Sequence, residues 1–157
     1  MSIFVSKQEV GHDALAQKQL LNVLAQGVGV VAKVDITSAE ILALNATPIE
    51  LIPAQGADQA IIVDEIIAFN KYGTATYALD GAVNAKYTDG SGDAVVSALA
   101  EAWGEATADA VAKAVAVGVA PVANAPVVLF AESADPTTGD GTFSIYVSYR
   151  VIDISQA

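Results

Sequence analysis

His12 is the chain's one histidine, and no cysteine stands among its 157 residues. Any Ser-His pair or imidazole metal site would have to start there. No nucleophile motif adjoins it, so a cap or surface position is its ordinary role. Glu101 and Glu105 stand at i, i+4 around Trp103. Two carboxylates do acid–base work only where a cleft pushes their pKa values apart; otherwise they are charges on a solvated face. Gly27-Val28-Gly29-Val30-Val31-Ala32 spells a G-x-G-x-x-A dinucleotide fingerprint. That motif needs a strand before it and a helix after it, so that a pyrophosphate meets the helix N-terminus. Here a helical pattern precedes and a β-branched run follows, which reads as a hinge.

Asp89, Ser91 and Asp93 alternate through a glycine-rich loop in the manner of hard-cation ligands, with Asp135 and Asp140 as further oxygen donors if the two loops meet. No glutamate follows at calcium-loop spacing, and Asp, Gly and Ser are turn residues first. Tyr72, Tyr77, Tyr87 and Tyr146 are the right type for a sugar-stacking platform, although tyrosine is also a common strand residue. No cofactor and no metal is expected from these groups, and no catalytic residue is assigned.

The elements that would position them come from composition and periodicity. Hydrophobic residues make up 54% and charged residues 16%, enough for one domain with a real core and an apolar surface left over. An obligate oligomer, or a body lying on a larger surface, is expected. Eighteen acidic residues against seven basic ones give a net charge of -11, which argues against direct nucleic-acid binding. Residues 1–13 lack the basic segment and apolar run of a secretion leader. The uncharged stretch 114–131 is long enough for a membrane span, but Gly118, Pro121, Asn124 and Pro126 interrupt it, so no membrane role is expected.

Residues 12–26 place Leu15, Leu20, Leu21 and Leu24 near one helical face, with Asp13 to start the helix and Gly27 to end it. From Val28 the texture is β. Strands are predicted over 28–36, 46–52, 59–69 and 126–131, with a helical turn over 38–44 capped by Ser38. Asp80-Gly81 predicts a hairpin joining 74–79 to 83–88. Residues 94–117 mix helical and strand signals. Strict alternation over 142–152 sets Phe143, Ile145, Val147, Tyr149 and Val151 on one face, and Ser144, Tyr146, Ser148 and Arg150 on the other. The expectation is an all-β jelly-roll or β-sandwich domain over 28–157 with an N-terminal helical arm over 1–27.

Ser38 to Pro48, then Leu51-Ile52-Pro53-Ala54-Gln55-Gly56, the strand to Phe69 and Tyr72-Gly73-Thr74-Ala75 form a pattern that continues at Lys86 to Gly92, Asn124 to Leu129 and Gly139 to Thr142. Over about residues 36–152 the chain resembles the capsid decoration, cement or head-fibre-like proteins of tailed bacteriophages. The resemblance implies a jelly roll, a homotrimer, and a virion position on the outer capsid surface against the major capsid protein after synthesis in the bacterial host cytoplasm. The alternative is a receptor- or glycan-binding module of a head fibre or spike. An isolated helix of this length is marginal in water, so the Leu15/Leu20/Leu21/Leu24 face is expected to dock on the capsid or a neighbouring subunit. Deleting residues 1–26 should abolish trimer formation or capsid attachment. Wild-type assembly and attachment by the truncated chain would contradict that role.

Overall fold

The computed structural model describes residues 29–155, and the arm with its four leucines lies outside them. Nine strands and two single-turn helices follow in order: β1 Val30–Ile36, α1 Ser38–Ile41, β2 Ile49–Ile52, β3 Gln59–Lys71, β4 Tyr77–Ala78, β5 Val83–Tyr87, α2 Glu101–Gly104, β6 Ala110–Val115, β7 Val127–Ala131, β8 Thr137–Thr138 and β9 Thr142–Asp153. One sheet has the order β1-β9-β3-β6, a second β2-β7-β5, and β4-β8 forms a two-stranded ribbon; every pairing is antiparallel. Residues 93–99 extend the second sheet beside β5. Val83 and Leu99 exchange both backbone bonds (3.1 and 2.8 Å), and Val95 N–H donates to Ala85 (2.9 Å).

First strand therefore pairs with last, β2 with β7, β3 with β6, and β5 with the segment that follows it. A long antiparallel hairpin wrapped on itself gives this nesting, and it is the topology of a jelly roll. Ser97 N–H to the Val115 carbonyl (2.8 Å) ties the second sheet to the edge of the first.

The core lies between the sheets. Phe143, Ile145 and Val147 of β9 are fully buried, with Ile61, Val63, Ile66 and Ala68 of β3 beside them and Val83, Ala85, Val127 and Leu129 opposite. Alternation along β3 changes parity at Asp64, where the register with β9 slips between Val63 and Glu65. One inserted residue turns the odd-numbered inward face into an even-numbered one, as a bulge must. Asn70 then faces inward and is the buried polar residue of the core. Its amide donates to the carbonyls of Trp103 (2.9 Å) and Gly104 (3.0 Å), fixing the end of α2. Trp103 in turn packs on Phe143 with ring centroids 4.5 Å apart.

Several sequence expectations are corrected. The N-cap of α1 is Thr37, not Ser38: its hydroxyl accepts from Glu40 N–H while the Glu40 carboxylate accepts from Thr37 N–H, a closed capping box. The strand expected from residue 46 starts at Ile49, just past Pro48. The hairpin about Asp80-Gly81 does not form. Gly81 does turn the chain, at φ +122, but β4 pairs with β8 and β5 pairs with β7. Two turn residues reverse direction locally; burial of Val83, Ala85 and Tyr87 against Val127, Leu129 and Ala131 chooses the partner. Leu79 N–H instead donates to Glu105 (2.8 Å). The mixed region 94–117 resolves into an irregular strand, one helical turn and β6. The uncharged stretch 114–131 is strand, loop and strand, and among the described residues no helix is long and apolar enough to cross a membrane.

Replacing Asn70 with alanine removes both donors from carbonyls beside the core. Unfolding in urea should show a loss of about 2–3 kcal/mol, with the β-type circular dichroism retained. A loss below about 0.5 kcal/mol would contradict the role given to this amide.

Candidate functional site

Asp135, Asp140, Glu105 and Asp89, singled out in the sequence, hold loops, and Asp109 does the same. Asp135 Oδ1 accepts from the amides of Asn45 (2.7 Å) and Ala46 (2.9 Å). Asp140 accepts from Thr74 N–H (2.7 Å), Ala75 N–H (2.9 Å) and the Thr74 hydroxyl (2.6 Å). Asp109 takes the Tyr72 amide at 3.0 Å and Glu105 the Leu79 amide. Each carboxylate thus satisfies amides that a bend leaves without a ladder partner. Asp89 caps its own loop through Ser91 N–H (2.8 Å), and Gly92 is required there, because a Cβ would sit 1.7 Å from the Tyr87 carbonyl oxygen. That loop is the tight turn of the β5 hairpin. Among the described residues, no group of three or more His, Asp or Glu side chains is placed to hold a metal ion. Glu101 stays exposed at the start of α2, so Glu101 and Glu105 do not face each other across a cleft. After Gly29 comes β1, not a helix, which removes the dinucleotide geometry. His12 lies outside the described residues.

The tyrosines do not form a platform either. Tyr77 and Tyr87 point into the core and donate their hydroxyls to the carbonyls of Gly141 (2.6 Å) and Ile61. Burial pushes Tyr77 up to about 12, with the nearby Asp140 charge adding to it. Tyr72 folds back onto the Thr74 carbonyl. Only Tyr146 stands on an outer face.

That outer face, of β1-β9-β3-β6, is where unassigned surface collects. Register places Lys33, Tyr146, Ile67 and Lys113 in one row across the sheet, and Asp35, Ser144, Phe69 and Val111 in the next. A further row holds Val31, Ser148, Glu65 and Val115. Val31 (63%), Val111 (62%), Val115 (50%) and Phe69 (41%) are heavily exposed for large apolar side chains. Phe69 meets Tyr146 edge-on at 5.6 Å, and a shallow depression of about 350 Å³ opens between them, Val111 and Lys71.

Charge on the same face is balanced in short pairs. Lys33 meets Asp35 at 2.8 Å, Lys113 meets Glu65 at 2.6 Å, and Arg150 clamps Asp64 at 3.0 and 3.2 Å. Four of the five described cations stand here (Lys33, Lys71, Lys113, Arg150), with Asp35, Asp64, Glu65 and Asp109 as counter-charges. The fifth, Lys86, pairs with Glu132 at 2.7 Å on the other sheet. The net charge of -11 therefore lies elsewhere on the molecule. Sequence reasoning found the Ser144/Tyr146/Ser148/Arg150 row but missed Phe69, Val111 and Val115. The available signal was the pair of valines alternating with Lys113 in an alanine-rich run.

No family model and no curated protein matches the chain. Among solved structures it is similar to a chain from a study of Bacillus endospore appendages, described as a novel family of disulfide-linked pili. Identity is 20%, with 78% of this chain and 87% of that one covered and a TM-score of 0.31. A likeness at that score carries no argument about function.

Three of the amide-accepting carboxylates, Asp140, Glu40 and Asp153, have lowered pKa values. Asp140 is held below the usual carboxylate range first by the Thr74 hydroxyl and then by the Ala75 and Thr74 amides. Glu40 is lowered by the Thr37 hydroxyl and amide, and Asp153 by Ser155. A carboxyl whose folded pKa is depressed stabilises the fold above its unfolded value and loses that contribution as pH falls through the folded one. Thermal midpoints should stay level from neutral pH to about 5 and fall below about 4. Asp140→Asn should lower the neutral-pH midpoint and flatten the acid decline. Parallel pH profiles for the two proteins would contradict the assignment.

Proposed function

We propose that the chain is a structural virion protein: a capsid decoration, or cement, subunit of a tailed bacteriophage. It assembles as a homotrimer on the outer capsid surface, against the major capsid protein, and stabilises the shell by contact without catalysis. The observation that carries this reading is the division of labour among polar groups. Asp135, Asp140, Asp109 and Glu105 are occupied in bracing loops, while the two most exposed large apolar side chains, Val31 and Val111, stand with Val115 and Phe69 on one charge-balanced sheet face. A surface so arranged suits burial against protein. The sequence resemblance over residues 36–152 supports the capsid as its setting.

Standard interfaces bury on the order of 1,600 Å² in total, and a shell repeats each contact many times. Modest individual contacts then suffice to resist internal pressure. The glycan-binding alternative draws less support, since Tyr77 and Tyr87 spend their hydroxyls on backbone carbonyls inside the core.

Light scattering on the purified full chain should give the mass of three copies. Added to undecorated capsids of the virus that encodes it, the protein should co-sediment and raise the temperature at which they rupture. A chain that neither binds such capsids nor changes their stability would overturn the reading.

A further inference from the structure

The geometry points to the outer face of β1-β9-β3-β6 as the surface on which a second copy of this chain packs. The inference rests on the reading of the chain as an assembly subunit and names the face by which its copies meet.

Charge placement selects the occupant. Two copies each carrying -11 repel one another, and outside this face the described residues carry twelve carboxylates against the one cation Lys86. Here four cations stand with four carboxylates, so two such faces approach without net repulsion. Lys33 is paired with Asp35 along β1, and Arg150 on β9 with Asp64 on β3, so these charges are satisfied within each copy before two faces meet. A basic or strongly acidic partner would find nothing to match on a face already neutral.

Area and exposure agree. β3 has 13 residues and β9 has 12, so each runs about 40 Å, and with shorter β1 and β6 at the usual strand spacing the face covers about 600 Å². That approaches the roughly 800 Å² which each partner contributes to a standard interface. Val31 and Val111 stand near opposite edges of the face, each more than half exposed, with Phe69 and Tyr146 between them. Paired ions beside apolar side chains, each pair already satisfied within its own chain, desolvate at less expense than free charges. Packed three about an axis, as the proposed trimer requires, the sheets bury this strip against one another.

The test is sedimentation of the full chain over a range of concentration and salt. Wild type should associate, and added salt should strengthen association by screening repulsion between the acidic remainders. Val111→Asp and Val31→Asp, on separate strands, should each weaken association at least about tenfold. Val122→Asp, in the loop between β6 and β7, should leave it unchanged. Should one variant lose its β-type spectrum, the other decides. Variants that are single chains yet still attach to capsids support the inference and place the capsid contact on another face. A wild-type chain that stays single at every salt concentration overturns it, while its attachment to capsids would leave the decoration reading standing. Association of both aspartate variants at wild-type strength overturns it equally.

Discussion

The structure depends on the last long strand being threaded through the middle of the first sheet. β9 bonds to β1 on one side and to β3 on the other, so neither has its full ladder until the end of the chain is in place. Val30 meets Tyr149 across this ladder, a separation of nearly the whole described chain. Contacts so distant in sequence carry a large loop-closure penalty, and slow, cooperative folding follows. The same ladder decides what faces in and what faces out. Phe143, Ile145 and Val147 enter the core, and the alternate residues Ser144, Tyr146 and Ser148 are delivered to the outer surface.

Loops wrapped around such a roll leave many amides without strand partners. This chain answers with carboxylates: Asp135 under the 45–46 turn, Asp140 under the 73–75 bend, Asp109 beneath Tyr72 and Glu105 beneath Leu79. Seven of the eighteen acidic residues thus accept backbone amides, a use of carboxylates that calls for neither cations nor acid–base chemistry. Ionised acceptors hold amides more strongly than neutral ones.

Much of the fold was legible in advance. Strict alternation marked β9, the apolar run marked β3, and Gly81 marked a turn that forms with φ +122. What periodicity does not carry is partnership. Asp80-Gly81 looked like a hairpin because a turn is a local signal, whereas the pairing of β5 with β7 is decided by side chains 40 to 48 residues apart. The Asp64 bulge was hidden for a similar reason, since Asp64-Glu65 within the apolar run does not say which residue is inserted until the register with β9 is known. Convergence of Phe69, Val111 and Tyr146 was beyond reach from sequence alone, because three strands had to be aligned first. The arm leucines, Leu15, Leu20, Leu21 and Leu24, remain a reading of helical spacing, outside the described residues.

A coherent physical picture joins these features: a rolled sandwich whose acidic groups brace its loops and whose one balanced face is left apolar for contact. Covalent footprinting of the full chain in solution tests that picture most directly, since it labels side chains in proportion to their access to water. Phe69, Val111 and Val115 should be labelled far less than their exposure in a lone chain implies, and Val122 in full proportion to its own. Labelling of all four in proportion to their exposure in the isolated fold would show that the face meets nothing, and would contradict it.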